Sequence, residues 1–145
     1  MTHSFDLAAA PGHLIRRAHQ ISVAVFNEHL SAAGVTPVQF AILNALLDTP
    51  GVDQITLAKN VAFDPATSGS VIGRLESKGW VERRADEVDR RRKLLVLTPE
   101  GLEALAGMQS AVAAVQSTIL SPLTPQEQAQ FMHLLSRLVV GHESS

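Results

Sequence analysis

A hydroxyl or carboxylate side chain directly followed by proline recurs along the chain, at Thr36-Pro37, Asp64-Pro65, Thr98-Pro99 and Thr124-Pro125. Such a side chain caps a helix by accepting from its free N-terminal N–H groups. Proline suits the first helical position, where its missing N–H would have no partner anyway. Gln39 and Glu127 fall three residues after Thr36 and Thr124, the spacing of a capping box. Each signal predicts a helix: VQFAILNALLDT, PATSGSVIGRLESKG closed by Gly79, EGLEALAGMQSAVAAVQSTIL, and QAQFMHLLSRLVVG. Pro11 opens another, running through LIRRAHQISVAVFNEHLSAAG to Gly34, with Leu14, Ala18, Ile21 and Val25 as one apolar stripe and His19, Phe26 and Leu30 as a second.

Between the Pro37 and Pro65 helices lies ITLAKNVAFD, read as a short helix with Ile55, Leu57, Ala58 and Val61 on its buried side. Two short helices joined by a tight turn, the second polar at its start, form a helix-turn-helix pattern. Gly69 and Gly73 weaken that second helix by about 1 kcal/mol each relative to alanine, so tertiary packing must hold it. After Gly79 the period changes. WVERR and KLLVLT read as strands joined by ADEVDRRR, an antiparallel hairpin with a basic tip. The Ala-rich helix after Pro99 is apolar around much of its circumference and calls for burial between helices or subunits. In the last helix Phe131, Leu134, Leu135 and Leu138 form a stripe. With 145 residues, 46% of them hydrophobic but only 4% aromatic, the chain has material for one domain with an aliphatic core.

Formal charge is −2, yet eight of the twelve Lys and Arg residues lie between Arg74 and Lys93: Arg74, Lys78, Arg83, Arg84, Arg90, Arg91, Arg92 and Lys93. A basic projection on an otherwise acidic chain fits a polyanion as well as it fits a solvated loop. Absence of cysteine removes disulfides, thiolate nucleophiles and the usual zinc or iron-sulfur sites. The six histidines are scattered, with no HExxH, phosphate loop or nucleophile elbow, so no catalytic residue, cofactor or metal is expected and the chain reads as no enzyme. No secretory leader or membrane span is visible, and the expected location is the cytoplasm.

From Gln54 to Gly101 the sequence resembles the multiple antibiotic resistance regulator (MarR) family. The resemblance is carried by the cap at Asp64, RLESKGWVERR at 74–84, the D-x-x-D-R-R pattern from Asp86 to Arg91, and KLLVLTPEG at 93–101. It implies a mainly α fold with a small β-hairpin wing: a winged helix-turn-helix lobe at 36–98 with dimerisation helices at 11–33 and 99–141, in a single domain spanning 1–145. It also implies a homodimer binding palindromic double-stranded DNA operators, often as a repressor released by phenolic or other aromatic compounds.

Physical chemistry gives those expectations residues. Side chains on the first turns of a helix in the major groove reach base edges. Thr67, Ser68 and Ser70 are the candidates there, with Arg74 reaching a phosphate. The family more often has a bulkier or charged residue in this half of the helix. Thr67 and Ser68 are read alternatively as satisfying local backbone contacts, and Arg74 as pairing with Glu76 or Asp86. Gly69 permits close approach. Trp80 reads as core beneath the hairpin. In the wing the resemblance gives Asp89 a bracing role and sends Arg91 into the minor groove, whose negative potential attracts a guanidinium. Arg90 ranks second and Arg92 third for adjacent phosphates, because alternating faces prevent all three from pointing one way.

For an effector, Arg16 and His19 are three apart on the first helix, and Phe40, Leu43, Leu47 and Phe63 supply apolar and aromatic groups. Together they suit a small aromatic acid, its carboxylate on Arg16. The competing reading makes Arg16 a surface or intersubunit ion pair. Competing functions are non-specific architectural DNA binding and a winged helix used for protein contact.

Overall fold

The structure, a computed structural model, describes residues 5–61 and 64–144, and of Pro65 the backbone alone. The helices are α1 (Pro11–Leu30), α2 (Pro37–Asp48), α3 (Gln54–Asn60), α4 (Pro65–Ser77), α5 (Pro99–Leu120) and α6 (Pro125–Glu143), and the strands are β1 (Val52–Asp53), β2 (Val81–Ala85) and β3 (Lys93–Leu97). This is the mainly helical chain with a small hairpin that the sequence predicts. Both capping boxes form: Thr36 accepts from the Gln39 N–H and Thr124 from the Glu127 N–H, with reciprocal side-chain bonds back. Asp64 likewise accepts from the Thr67 N–H at the start of α4.

The chain divides into two compact units. One comprises the described residues of 26–112, including the last turn of α1 and the first half of α5. The other comprises the described residues of 5–25 and 113–144.

In the first unit three antiparallel strands run in the order β1-β3-β2, with Val52 opposite Leu95 and Arg83 opposite Leu95 on the other side. β1 was not anticipated, since two residues are too few to show a period. Ile42, Leu43 and Leu46 of α2, Leu57 of α3, Ile72 and Leu75 of α4 and Leu95 of β3 are all fully buried. Each such side chain contributes about 2 kcal/mol through burial, which offsets the two glycines of α4. Ile55, expected on the buried side of α3, is 64% exposed; the helix is only seven residues long and Leu57 and Ala58 take its inner face.

Leaving the sheet, the chain is fixed by a close crossing. The Thr98 N–H donates to the Trp80 carbonyl, the Thr98 hydroxyl donates to the Gly79 carbonyl, and the Gly101 N–H donates to the Thr98 hydroxyl. A β-carbon on Gly101 would overlap the Trp80 carbonyl oxygen, which explains the glycine of the TPEG segment by space alone. Gly79 needs glycine for another reason, since its φ of 81° is left-handed.

In the second unit Gln128 donates to the Leu120 and Leu123 carbonyls and closes the turn between α5 and α6. Large apolar side chains stay uncovered in the single chain: Leu14, Ile15 and Ile21 on α1, and Leu134, Leu138 and Val140 on α6, are each roughly half exposed.

Gly101→Ala is expected to destabilise the protein by about 2 kcal/mol or more, because the obstacle is backbone rather than a movable side chain. Thermal or urea unfolding checks it; a melting curve equal to wild type would contradict the crossing.

Candidate nucleic-acid interface

α4 presents its first turns unevenly. The Asp64 carboxylate accepts from the Thr67 N–H at 2.9 Å and from the Thr67 hydroxyl at 2.7 Å. Thr67 is exposed and also completes the cap. Ser70 and Arg74 are also exposed. Ser68 is not: it is fully buried, and its hydroxyl has no hydrogen-bond partner among the described residues. Its candidacy as a DNA contact is corrected by helical geometry, which turns position 68 toward the core. Gly69 also faces protein, for a β-carbon there would lie 2.8 Å from Nε2 of Gln54. The acids considered as partners of Arg74 are engaged elsewhere, Glu76 by Arg83 at 2.9 Å and Asp86 by Arg92 at 3.6 Å.

Two aspartates shape the wing loop. Asp86 accepts from the Val88 N–H and Asp89 from the Arg91 N–H, at 2.9 and 3.1 Å, each a local side-chain turn. The Arg92 N–H donates to the Asp89 carbonyl, and the Asp86 N–H donates to the Arg92 carbonyl. The three arginines then part company. Arg91 is 96% exposed and 3.7 Å from Asp89, a loose contact that leaves its guanidinium outward. Arg90 is exposed. Arg92 instead turns back and donates to Asp53 through Nε and Nη2 at 3.1 and 2.8 Å. Arg92, ranked third for a phosphate, thus braces the wing against the start of α3 in the free chain, with its side chain still 50% exposed.

Both capping aspartates are held below the ordinary carboxylate range. For Asp53 the main cause is the Thr56 N–H, with the Arg92 guanidinium adding to it. For Asp64 it is the Thr67 N–H and then the Thr67 hydroxyl.

Sequence reasoning missed three polar residues that set the geometry. Arg83 donates to Glu76 and to Oε1 of Gln54, joining β2, α4 and α3. Lys78 donates to the Gly34 carbonyl, lies 3.4 Å from Oε1 of Gln39 and sits 4.6 Å from the Trp80 ring centroid. It ties the end of α4 to the start of α2 and adds a cation–π contact. Trp80 is therefore only half-buried, with an ammonium against its ring. These partners are far apart in sequence and leave no periodic signal.

The effector candidates are not gathered within either unit. Arg16 and His19 are exposed on α1, and Nη2 of Arg16 lies 3.2 Å from Nδ1 of His13. Leu43 is fully buried in the lobe core, so its candidacy as a ligand contact is corrected. Phe40 is half-buried with its ring 6.1 Å from that of Phe26, and Leu47 is 46% exposed. Phe63 lies outside the described residues. Among the described residues no cluster of His, Asp or Glu is placed to hold a metal ion, and no single helix is long and apolar enough to cross a membrane.

A helix-turn-helix followed by a braced hairpin with outward arginines defines a winged-helix, DNA-binding regulator. The MarR family profile matches residues 35–93. The transcriptional regulator HosA of Escherichia coli is 31% identical over 127 residues, covering 88% of this chain and 93% of HosA. Among solved structures, the PcaV transcriptional regulator of Streptomyces coelicolor, in complex with its natural ligand, is 38% identical with a TM-score of 0.87, covering 95% of this chain and 97% of that one. BpsR of Bordetella bronchiseptica, whose DNA binding is regulated by 6-hydroxynicotinic acid, is 30% identical with a TM-score of 0.89, covering 94% and 98%. The chain belongs to the MarR family. It is a DNA-binding transcriptional regulator and not an enzyme.

Because Asp53 and Asp64 have lowered pKa values when folded, their stabilisation is full at pH values above about 4, the unfolded carboxylate range, and is lost as pH falls through the folded values. Circular dichroism melts in acid should show this loss, and Asp64→Asn should reduce it, since asparagine still caps but does not titrate there. An unchanged acid limb in that variant would contradict the role of Asp64.

Proposed function

We propose that the protein is a cytoplasmic homodimeric repressor of a nearby operon, reading a palindromic operator and released by a small aromatic carboxylate. The observation that carries the DNA part is the outward Arg91 of a wing whose neighbour Arg92 is spent on Asp53. The negative potential of a narrow minor groove attracts such an exposed guanidinium. Arg90 serves an adjacent phosphate, while Thr67, Ser70 and Arg74 of α4 face the major groove.

A second copy of the chain accounts for the uncovered apolar residues of α1 and α6, and a two-fold dimer matches a palindrome. The effector reading is supported by Arg16, an exposed cation on α1 whose one described partner is a histidine rather than a carboxylate, and by the likeness to BpsR, whose regulating compound is an aromatic acid. His19, Phe40 and Leu47 are the further candidates; each is at least partly exposed. A ligand weakens DNA binding only by favouring the dimer form that binds DNA poorly.

The test is fluorescence anisotropy on duplex from the protein's own upstream region, with and without benzoate- and nicotinate-type acids. Arg91→Ala should weaken operator binding about tenfold, lower preference for A·T-rich flanks and reduce the salt slope by about one. Arg16→Ala should leave ligand-free DNA affinity within about twofold and abolish release by the acid that acts on wild type. Unchanged affinity in the first variant, or unchanged release in the second, removes the corresponding role. Equal binding to random duplex would favour an architectural protein.

A further inference from the structure

We infer that Gln54 is a positioning residue that registers the recognition helix against the wing, and that residue 69 is glycine to make room for it. This rests on the DNA-reading roles proposed above for α4 and the wing.

Gln54, the first residue of α3, is half-buried. Its Oε1 accepts from Nη1 of Arg83 on β2 at 2.8 Å, and Nε of the same guanidinium donates to Glu76 on α4 at 2.9 Å. The preceding residue, Asp53, accepts from Arg92 at 2.8 Å and from the Thr56 N–H at 2.7 Å. Both arms of the wing are therefore fastened to consecutive residues at the start of α3. Those two residues and Arg83, Arg91 and Arg92 border one shallow recess.

The carboxamide also bears on α4. With its oxygen pinned by Arg83, its nitrogen lies where a side chain at position 69 would begin, 2.8 Å from an ideal β-carbon. A glycine inside a helix weakens it, and here it stands opposite the amide. The arrangement fixes the offset between the wing arginines and the outward face of α4. On duplex DNA the spacing from a major groove to the neighbouring minor groove is set by the duplex, so a protein reading both needs a fixed offset.

Alanine at 69 would meet the movable end of Gln54, so the helix survives by swinging the amide aside; what is lost is the link to Arg83. The experiment is a double-mutant cycle of Gly69→Ala and Gln54→Ala, measuring affinity for a duplex enriched by the wild-type protein from a random pool, affinity for random duplex, and melting temperature. Each single variant should lose about fivefold in preference for the enriched duplex, and the double variant should lose no more than Gln54→Ala alone. Gly69→Ala should melt no lower than wild type, because alanine favours helix.

If Gly69→Ala costs as much in the Gln54→Ala background as in wild type, the glycine serves close approach of DNA and the inference fails. It also fails if Gln54→Ala lowers the melting temperature but leaves the preference intact, the mark of a purely structural role. A wild-type protein that enriches no sequence removes the reading of α4 and the wing itself, and this distinguishes the two failures.

Discussion

The middle strand, Lys93–Leu97, is the element on which the lobe of residues 26–112 depends. β1 pairs on one side of it and β2 on the other, and Leu95 at its centre is fully buried. Backbone pairing along this strand gives the wing its direction, while burial of Leu95 holds the sheet to α2 and α3. Gly101 and Thr98 then lock the exit of the strand onto Gly79 and Trp80, at the entrance of β2. The hairpin is consequently closed at its base by backbone contacts and left open at its tip, where arginines stand in solvent.

Division of labour among identical side chains follows from that closure. Arg90, Arg91 and Arg92 have the same chemistry, but Asp86 and Asp89 fold the loop so that one arginine faces Asp53 while another projects away. An arginine with two bonds to a carboxylate acts as a brace, since releasing it would leave Asp53 without its cation. The brace matters for DNA binding because a loop ordered before contact loses less entropy on binding.

A similar reallocation applies to the effector candidates. Leu43 and Phe40 lie on the same helix, yet Leu43 is enclosed by the core whereas Phe40 reaches a tilted contact with Phe26 and remains partly open. Helical periodicity alone does not distinguish the centre of an apolar face from its edge, and only an edge residue can meet a ligand without unpacking the lobe.

The sequence by itself determined where helices start, because caps and proline act within one turn and need no distant partner: Thr36, Asp64 and Thr124 all cap as their spacing implies. It also determined the hairpin, from the change of period after Gly79, and the family, from the motifs between Gln54 and Gly101. What only the tertiary structure decided is which side chain on each element faces inward. Ser68 looked available for DNA and is buried; Ile55 looked buried and is exposed. Arg92 looked free and is paired with a residue far earlier in the chain, and Gln54 carried no visible signal until Arg83 and Gly69 were brought beside it. Local propensity depends on neighbours in sequence, whereas burial and long-range pairing depend on neighbours in space, and those exist only once the sheet and helices have packed.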